Sequence, residues 1–147
     1  MKKIIWFCTV SLLLIACSDN YSSRNPYLSE VSFTKTINLN LPSYNNLTVA
    51  GSGMLIEDAT AGIKGILVIN QGFNQFLAWE ASCPNHTPSS CSTMEVTGNI
   101  YCQCDCDDYK YSLYTGNIIE ETNDGNAEYS LLYYQTSVNG NILTISN

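Results

Sequence analysis

Residues Tyr101 to Gly116 read YCQCDCDDYKYSLYTG, and upstream of them Trp79 to His86 read WEASCPNH. With Cys91 between them, these two stretches put five cysteines (Cys83, Cys91, Cys102, Cys104 and Cys106) within 24 positions. Three chemistries use such a pattern. Two disulfides can pin two loops together and leave one thiol over. A zinc ion can take Cys and His ligands, although its usual spacing is C-x2–4-C and not C-x-C-x-C. An iron–sulfur centre can gather thiolates and imidazoles from paired loops. If the second run is extended, Cys102, Cys104 and Cys106 share one face, and a one-residue slip cannot exchange them. His86 is the chain's single histidine, so no site in one copy can use two imidazoles.

Working outward, the sequence reads as all-β. Ile37 to Leu41 alternates apolar and polar residues, and Gly65 to Ile69 is an apolar run of strand length. Phe76 to Ala81 follows after Asn70-Gln71-Gly72, which reads as a turn. Further turn signals fall at Gly51-Ser52-Gly53, Gly98-Asn99, Thr115-Gly116, Asp124-Gly125 and Asn139-Gly140. The last of these predicts a hairpin between Tyr129–Val138 and Ile142–Ile145. Ten tyrosines with many Thr, Ile and Val suit pleated sheet. From Phe33 onward no window of ten residues shows a helical apolar period. The expectation is a small antiparallel sandwich or barrel.

The N-terminus reads as an export signal. Lys2 and Lys3 precede an apolar stretch from Ile4 to Ile15, and about a dozen residues is short for a bilayer span. Leu14-Ile15-Ala16-Cys17 resembles the lipobox of bacterial lipoproteins, which implies that Cys17 is lipidated and becomes the first residue. Removing 16 of 147 residues leaves 131. Acyl chains anchor without spanning. The expected layout is a signal peptide over 1–16, a polar linker over 17–32 and one domain over 33–147. The domain would then sit in the cell envelope, in an oxidising, extracytoplasmic space where disulfides persist.

Charge excludes one class of partner. Outside the leader, four basic residues (Arg24, Lys35, Lys64 and Lys110) face thirteen acidic ones, so phosphate contacts with a nucleic acid are excluded. There is no Ser/His/Asp order, no phosphate loop and no carboxylate pair placed together, so the sequence offers no catalytic constellation. Asp105, Asp107 and Asp108 have the ligand type of a calcium site, and equally that of a solvated turn. Tyr129 to Tyr134 (YSLLYY) reads as half-buried strand.

The cysteine stretches resemble the two cluster-binding loops of Rieske ferredoxins, which read C-x-H and C-x-x-H-G, the second followed by an aromatic-x-L-x-T-G turn. Tyr111 to Gly116 (YSLYTG) is similar to that turn. Leu41–Leu47, Gly62–Ile66 and Val138–Ile145 extend the resemblance toward Rieske-like bacterial lipoproteins, over roughly residues 33 to 147. The resemblance implies an all-β domain with both cysteine loops at one tip, and a role in electron transfer. It also implies a [2Fe–2S] cofactor held by Cys83, His86, Cys104 and either Asp107 or Cys106.

The departures fall on the ligands. Asn85 stands where the first loop has histidine, and His86 is one place late. Counting back from Thr115-Gly116, Cys104 takes the cysteine position, Asp107 the histidine position and Asp108 the glycine position; counting from Cys102 puts Asp105 in the histidine position. An intact two-histidine centre is excluded. High-potential members join the loops by one extra cysteine each, which by position implies Cys91–Cys106, with Cys104 or Cys102 as alternatives to Cys106. Such a bond closes a loop worth roughly 3 kcal/mol on the chain-entropy model. Cys83 and Cys104 are then two cluster ligands or a second disulfide, with Cys102 left over. The readings are therefore a membrane-anchored carrier of a remodelled cluster, or a metal-free, disulfide-stabilised envelope module. In both, the redox or envelope partner is unidentified.

Overall fold

The computed structural model describes residues 24–120 and 128–147. The signal over 1–16, the anchor Cys17 and the Asp124-Gly125 turn lie outside the described residues. The described chain is all-β, with ten strands: β1 (Thr34–Asn38), β2 (Gly53–Ile56), β3 (Ile66–Gly72), β4 (Gln75–Glu80), β5 (Glu95–Thr97), β6 (Tyr101–Gln103), β7 (Lys110–Ser112), β8 (Ile118–Glu120), β9 (Tyr133–Asn139) and β10 (Ile142–Ser146). A six-stranded antiparallel sheet runs β1-β10-β9-β4-β3-β2, and a four-stranded one runs β5-β6-β7-β8.

β3 shows why its sequence is continuously apolar. Successive side chains point to opposite faces. Ile66 and Val68 enter one core with Ile37, Leu47, Tyr134, Leu143 and Ile145. Leu67 and Ile69 enter a second with Met94, Cys102, Tyr111 and Leu113. Both faces are covered, and each fully buried aliphatic contributes about 1.5–3 kcal/mol over an exposed one. The six-stranded sheet curls around the first core. Its β4 and β9 meet through only two residue pairs, Ala78 with Tyr134 and Trp79 with Tyr133. The second core lies between the outer face of β3–β4 and the four-stranded sheet.

Several local expectations shift. The β3–β4 turn is made by Phe73 and Asn74, both at positive φ, and not by Asn70-Gln71-Gly72, which continues the strand through a bulge. Asn70 stays buried because its amide donates to Leu47 O. Pro42–Thr48 forms a short 3-10 helix, with Pro42 at its start where its missing N–H costs nothing. Strand pairing at the far end starts at Tyr133, while Leu131 and Leu132 are already buried, one in each core. The predicted hairpin forms one residue later than read: Asn139 ends β9 opposite Ile142, and Gly140-Asn141 make the turn.

The polar segment assigned to a linker over 17–32 packs on the domain from residue 24. Asn25 and Leu28 are buried, and Asn25 Nδ2 donates to Pro84 O at 2.7 Å. Asn25 Oδ1 accepts from the backbone of Tyr27 and Leu28. Two buried side chains among polar neighbours are enough to dock a segment that shows no apolar period.

Candidate functional site

The two cysteine stretches meet at one tip. The first loop leaves β4, is steadied by the bridge between Ser82 and Thr93, and carries Cys83 and His86. The second is the connection from β6 to β7. Its cysteines were expected on one extended face, but β6 ends at Gln103 and the chain turns. Cys104 N bonds to Tyr109 O at 3.0 Å, and Asp108 N bonds to Cys104 O at 2.9 Å. That tight turn requires Asp108 to take φ +59°. Glycine adopts this conformation freely and aspartate tolerates it, so the glycine position of the resembled loop keeps its backbone without its residue.

Turning the chain at Cys104 separates the three cysteines. Cys102 remains on the strand, fully buried opposite Val96 and Tyr111, with its Sγ 3.9 Å from Met94 Sδ. Burial pushes its thiol pKa well above the usual range. Among the described residues it is the cysteine outside any disulfide. Cys83 and Cys104 are bonded, with Cα atoms 5.8 Å apart, and so are Cys91 and Cys106, with Cα atoms 5.3 Å apart. Both separations suit unforced disulfides.

Around these bonds lie the groups that can do chemistry. The ligand atoms of Cys83, His86, Cys104 and Cys106 all fall within 4.8 Å of one another. His86 Nδ1 is 3.0 Å from Thr87 O, and a carbonyl only accepts, so Nδ1 carries the proton. In the neutral ring the Nε2 lone pair then faces Cys104 Sγ at 3.4 Å and Asp107 Oδ2 at 3.8 Å. This is the orientation of a metal-ligating histidine. Asp107 stands on the same Nε2 side of His86 as Cys104, and Cys106 Sγ is the fourth converging atom. The three aspartates of the turn form no such group: Asp105 and Asp108 are exposed, and Asp107 Oδ1 accepts from Tyr109 N.

Asn85 is committed elsewhere. Its amide nitrogen donates to Tyr111 Oη and Tyr129 O, both at 2.9 Å, and its oxygen accepts from the backbone of Glu128 and Tyr129, both at 2.8 Å. It ties the first loop to β7 and to the segment that leads into β9, and has no capacity left for a metal. Sequence reading noted the substitution but not this role, because the partners lie 26 to 44 residues away. It also missed Ser89, whose hydroxyl lies 3.3 Å from Cys91 Sγ and 3.6 Å from Cys106 Sγ.

The fit to a [2Fe–2S] cluster follows from the donors. Cys83 and Cys104 spend their sulfurs on each other, Asn85 is bonded away, and one imidazole remains. The described state does not fit the two-thiolate, two-imidazole centre. It does offer a Cys/His group of metal-binding type once both disulfides are opened.

No family model matches the chain, and no curated protein matches it. Solved structures do. The chain is similar to PetC3, the plasma membrane Rieske protein of the cyanobacterium Synechocystis PCC 6803, at 24% identity and TM-score 0.43, over 54% of this chain and 74% of that one. It is also similar to a protein described as the small subunit of an NADH-dependent nitrite reductase from Mycobacterium tuberculosis, at 14% identity and TM-score 0.44, over 80% and 97% of the two chains. No helix among the described residues is long and apolar enough to cross a membrane.

Proposed function

We propose that this chain is a non-catalytic, metal-free envelope module of Rieske-like fold, lipid-anchored through Cys17, whose two loops are closed by disulfides where its ligand-bearing counterparts hold a cluster. The observation that carries this is Asn85: the residue in the histidine position satisfies four hydrogen bonds inside the protein. A tip so bonded presents a fixed surface to an envelope protein. The acidic balance of the chain argues against nucleic acid as its partner.

The test uses the full exported chain, purified anaerobically from cells making clusters in excess. A colourless, iron-free protein with both cystines recovered is expected. Stoichiometric iron with a visible charge-transfer spectrum would overturn it. Cys17→Ser is expected to abolish labelling by a fatty-acid probe, and undiminished labelling would remove the anchor from the proposal.

A second reading is a remodelled [2Fe–2S] site for electron transfer, held by Cys83, His86, Cys104 and Asp107 or Cys106. It is favoured by the convergence of four ligand atoms within 4.8 Å and by His86 Nε2 facing Cys104 Sγ. The same iron measurement decides between the two.

A further inference from the structure

The two disulfides are neighbours with opposite access. Cys91 is exposed and Cys106 half-buried, whereas Cys83 and Cys104 have no accessible surface. Cys106 Sγ nevertheless lies within 4.8 Å of both inner sulfurs. Hydrogen-bond donors flank the outer bond: the Ser89 hydroxyl reaches both its sulfurs, and Ser92 Oγ lies 4.0 Å from Cys106 Sγ. His86 Nε2 flanks the inner bond on the Cys104 side. An isolated structural cystine needs none of these neighbours.

We propose that the two cystines form a thiol–disulfide exchange relay, in which Cys91–Cys106 receives electrons from an external dithiol and Cys106 carries them to the buried Cys83–Cys104 bond. This goes beyond the structural role given to the disulfides above and rests on their being cystines. Exchange runs by thiolate attack on a disulfide sulfur. A thiolate of the dithiol attacks Cys91 Sγ, on the more exposed residue of the outer bond. A mixed disulfide forms, the Cys91–Cys106 bond breaks, and its electron pair leaves on Cys106, where the Ser89 hydroxyl can donate to it. The Cys106 thiolate attacks Cys83 Sγ, forming Cys83–Cys106 and expelling Cys104 beside His86. The second thiol of the dithiol attacks its own sulfur in the mixed disulfide and releases Cys91. The dithiol becomes a disulfide, and its two protons end on Cys91 and Cys104. Direct attack on the inner bond is hindered by burial, and Cys106 is the cysteine of the outer bond whose sulfur lies within 4.8 Å of both inner sulfurs.

The test takes the full exported protein, first mapped without reduction, then treated with one equivalent of dithiothreitol and quenched with iodoacetamide. Alkylation of Cys91 and Cys104, with a new Cys83–Cys106 cross-link, is expected. Alkylation of Cys91 and Cys106 with Cys83–Cys104 intact would overturn the relay and leave the metal-free module standing. Absence of cystines before treatment, with bound iron, would overturn both. In Cys106→Ser, reduction of Cys83–Cys104 is expected to slow by about tenfold or more, because its attacking thiolate is gone. Faster reduction in that variant would mark Cys91–Cys106 as a mere clamp and also overturn the relay.

Discussion

In the six-stranded sheet, strands of up to seven residues carry long ladders, and β3 buries side chains on both faces. In the four-stranded sheet every strand is three residues long, and two disulfides stand close to its second strand. The larger sheet can be held by burial and backbone hydrogen bonds. The smaller one has too little ladder for that and leans on β3–β4, on covalent bonds and on side chains bonded across loops. The difference teaches where chemistry can be placed: the cysteine tip is shaped by long-range ties, so its residues can change identity while the sheet beneath stays intact.

The largest expected effect lies where β4 leaves the large sheet for the first cysteine loop. Glu80, at the end of β4, is fully buried and accepts from the backbone N–H groups of Ile63, Lys64 and Ser82 and from the Tyr134 hydroxyl. Burial, together with the Glu80 carboxylate, holds the Tyr134 phenol in its protonated, donating form. Glu80→Ala strands all four donors and should cost about 4 kcal/mol in urea unfolding. A cost under about 1 kcal/mol would mean that water replaces the carboxylate.

Removing the inner cystine comes next. Cys83→Ala with Cys104→Ala should cost about 3 kcal/mol. Amide exchange should rise first in β5–β8 and leave β3 and β10 protected. Uniform loss of protection would break the comparison, because the small sheet would then be no more dependent on its staples than the large one.

Two glycines sharpen it. Gly116 has φ +73°, and an added Cβ would lie 2.6 Å from the Trp79 ring, whose Nε1–H donates to Leu113 O. Gly140 has φ +59° and open space around it. Gly116→Ala should therefore cost about 3 kcal/mol, by strain and by displacing Trp79, and Gly140→Ala about 1 kcal/mol from strain alone. Equal costs would show that the Thr115-Gly116 turn is not packed as described.

The smallest effect is electrostatic and belongs to the large sheet. Hydrogen bonds from Lys35, then from Thr60, hold the Asp58 carboxyl far below its ordinary pKa. A depressed pKa adds stability above the unfolded value, about 4, and that contribution fades as pH falls below it. The stability gap between wild type and Asp58→Asn should be small, present at pH 6, and closing under acid conditions. A gap independent of pH would show that the pair contributes only through packing.

Much of this was legible in the residues. The apolar run of β3, the presence of a hairpin around Gly140 and the all-β class follow from local period and turn chemistry, which a sequence states directly. The docking of residues 24–32 was not legible, because it rests on Asn25 reaching Pro84 and Leu28 filling a core, contacts without periodicity. The β3–β4 turn was misplaced because Phe73 and Asn74 adopt positive φ against the preference of Phe.

At the tip, the donor inventory is read from the residues alone: one histidine, five clustered cysteines, and asparagine and aspartate in the histidine positions of the resembled loops. That is composition, and counting it excludes a two-imidazole centre without any coordinates. Which sulfurs meet depends on the three-dimensional path of the two loops. The turn closed between Cys104 and Tyr109 sends Cys102 into the core, Cys104 to Cys83 and Cys106 to Cys91. Residues two apart share a face only while the strand continues; a local turn between Cys104 and Tyr109 ends this one, and the sulfurs it is turned toward, those of Cys83 and Cys91, come from another loop of the chain.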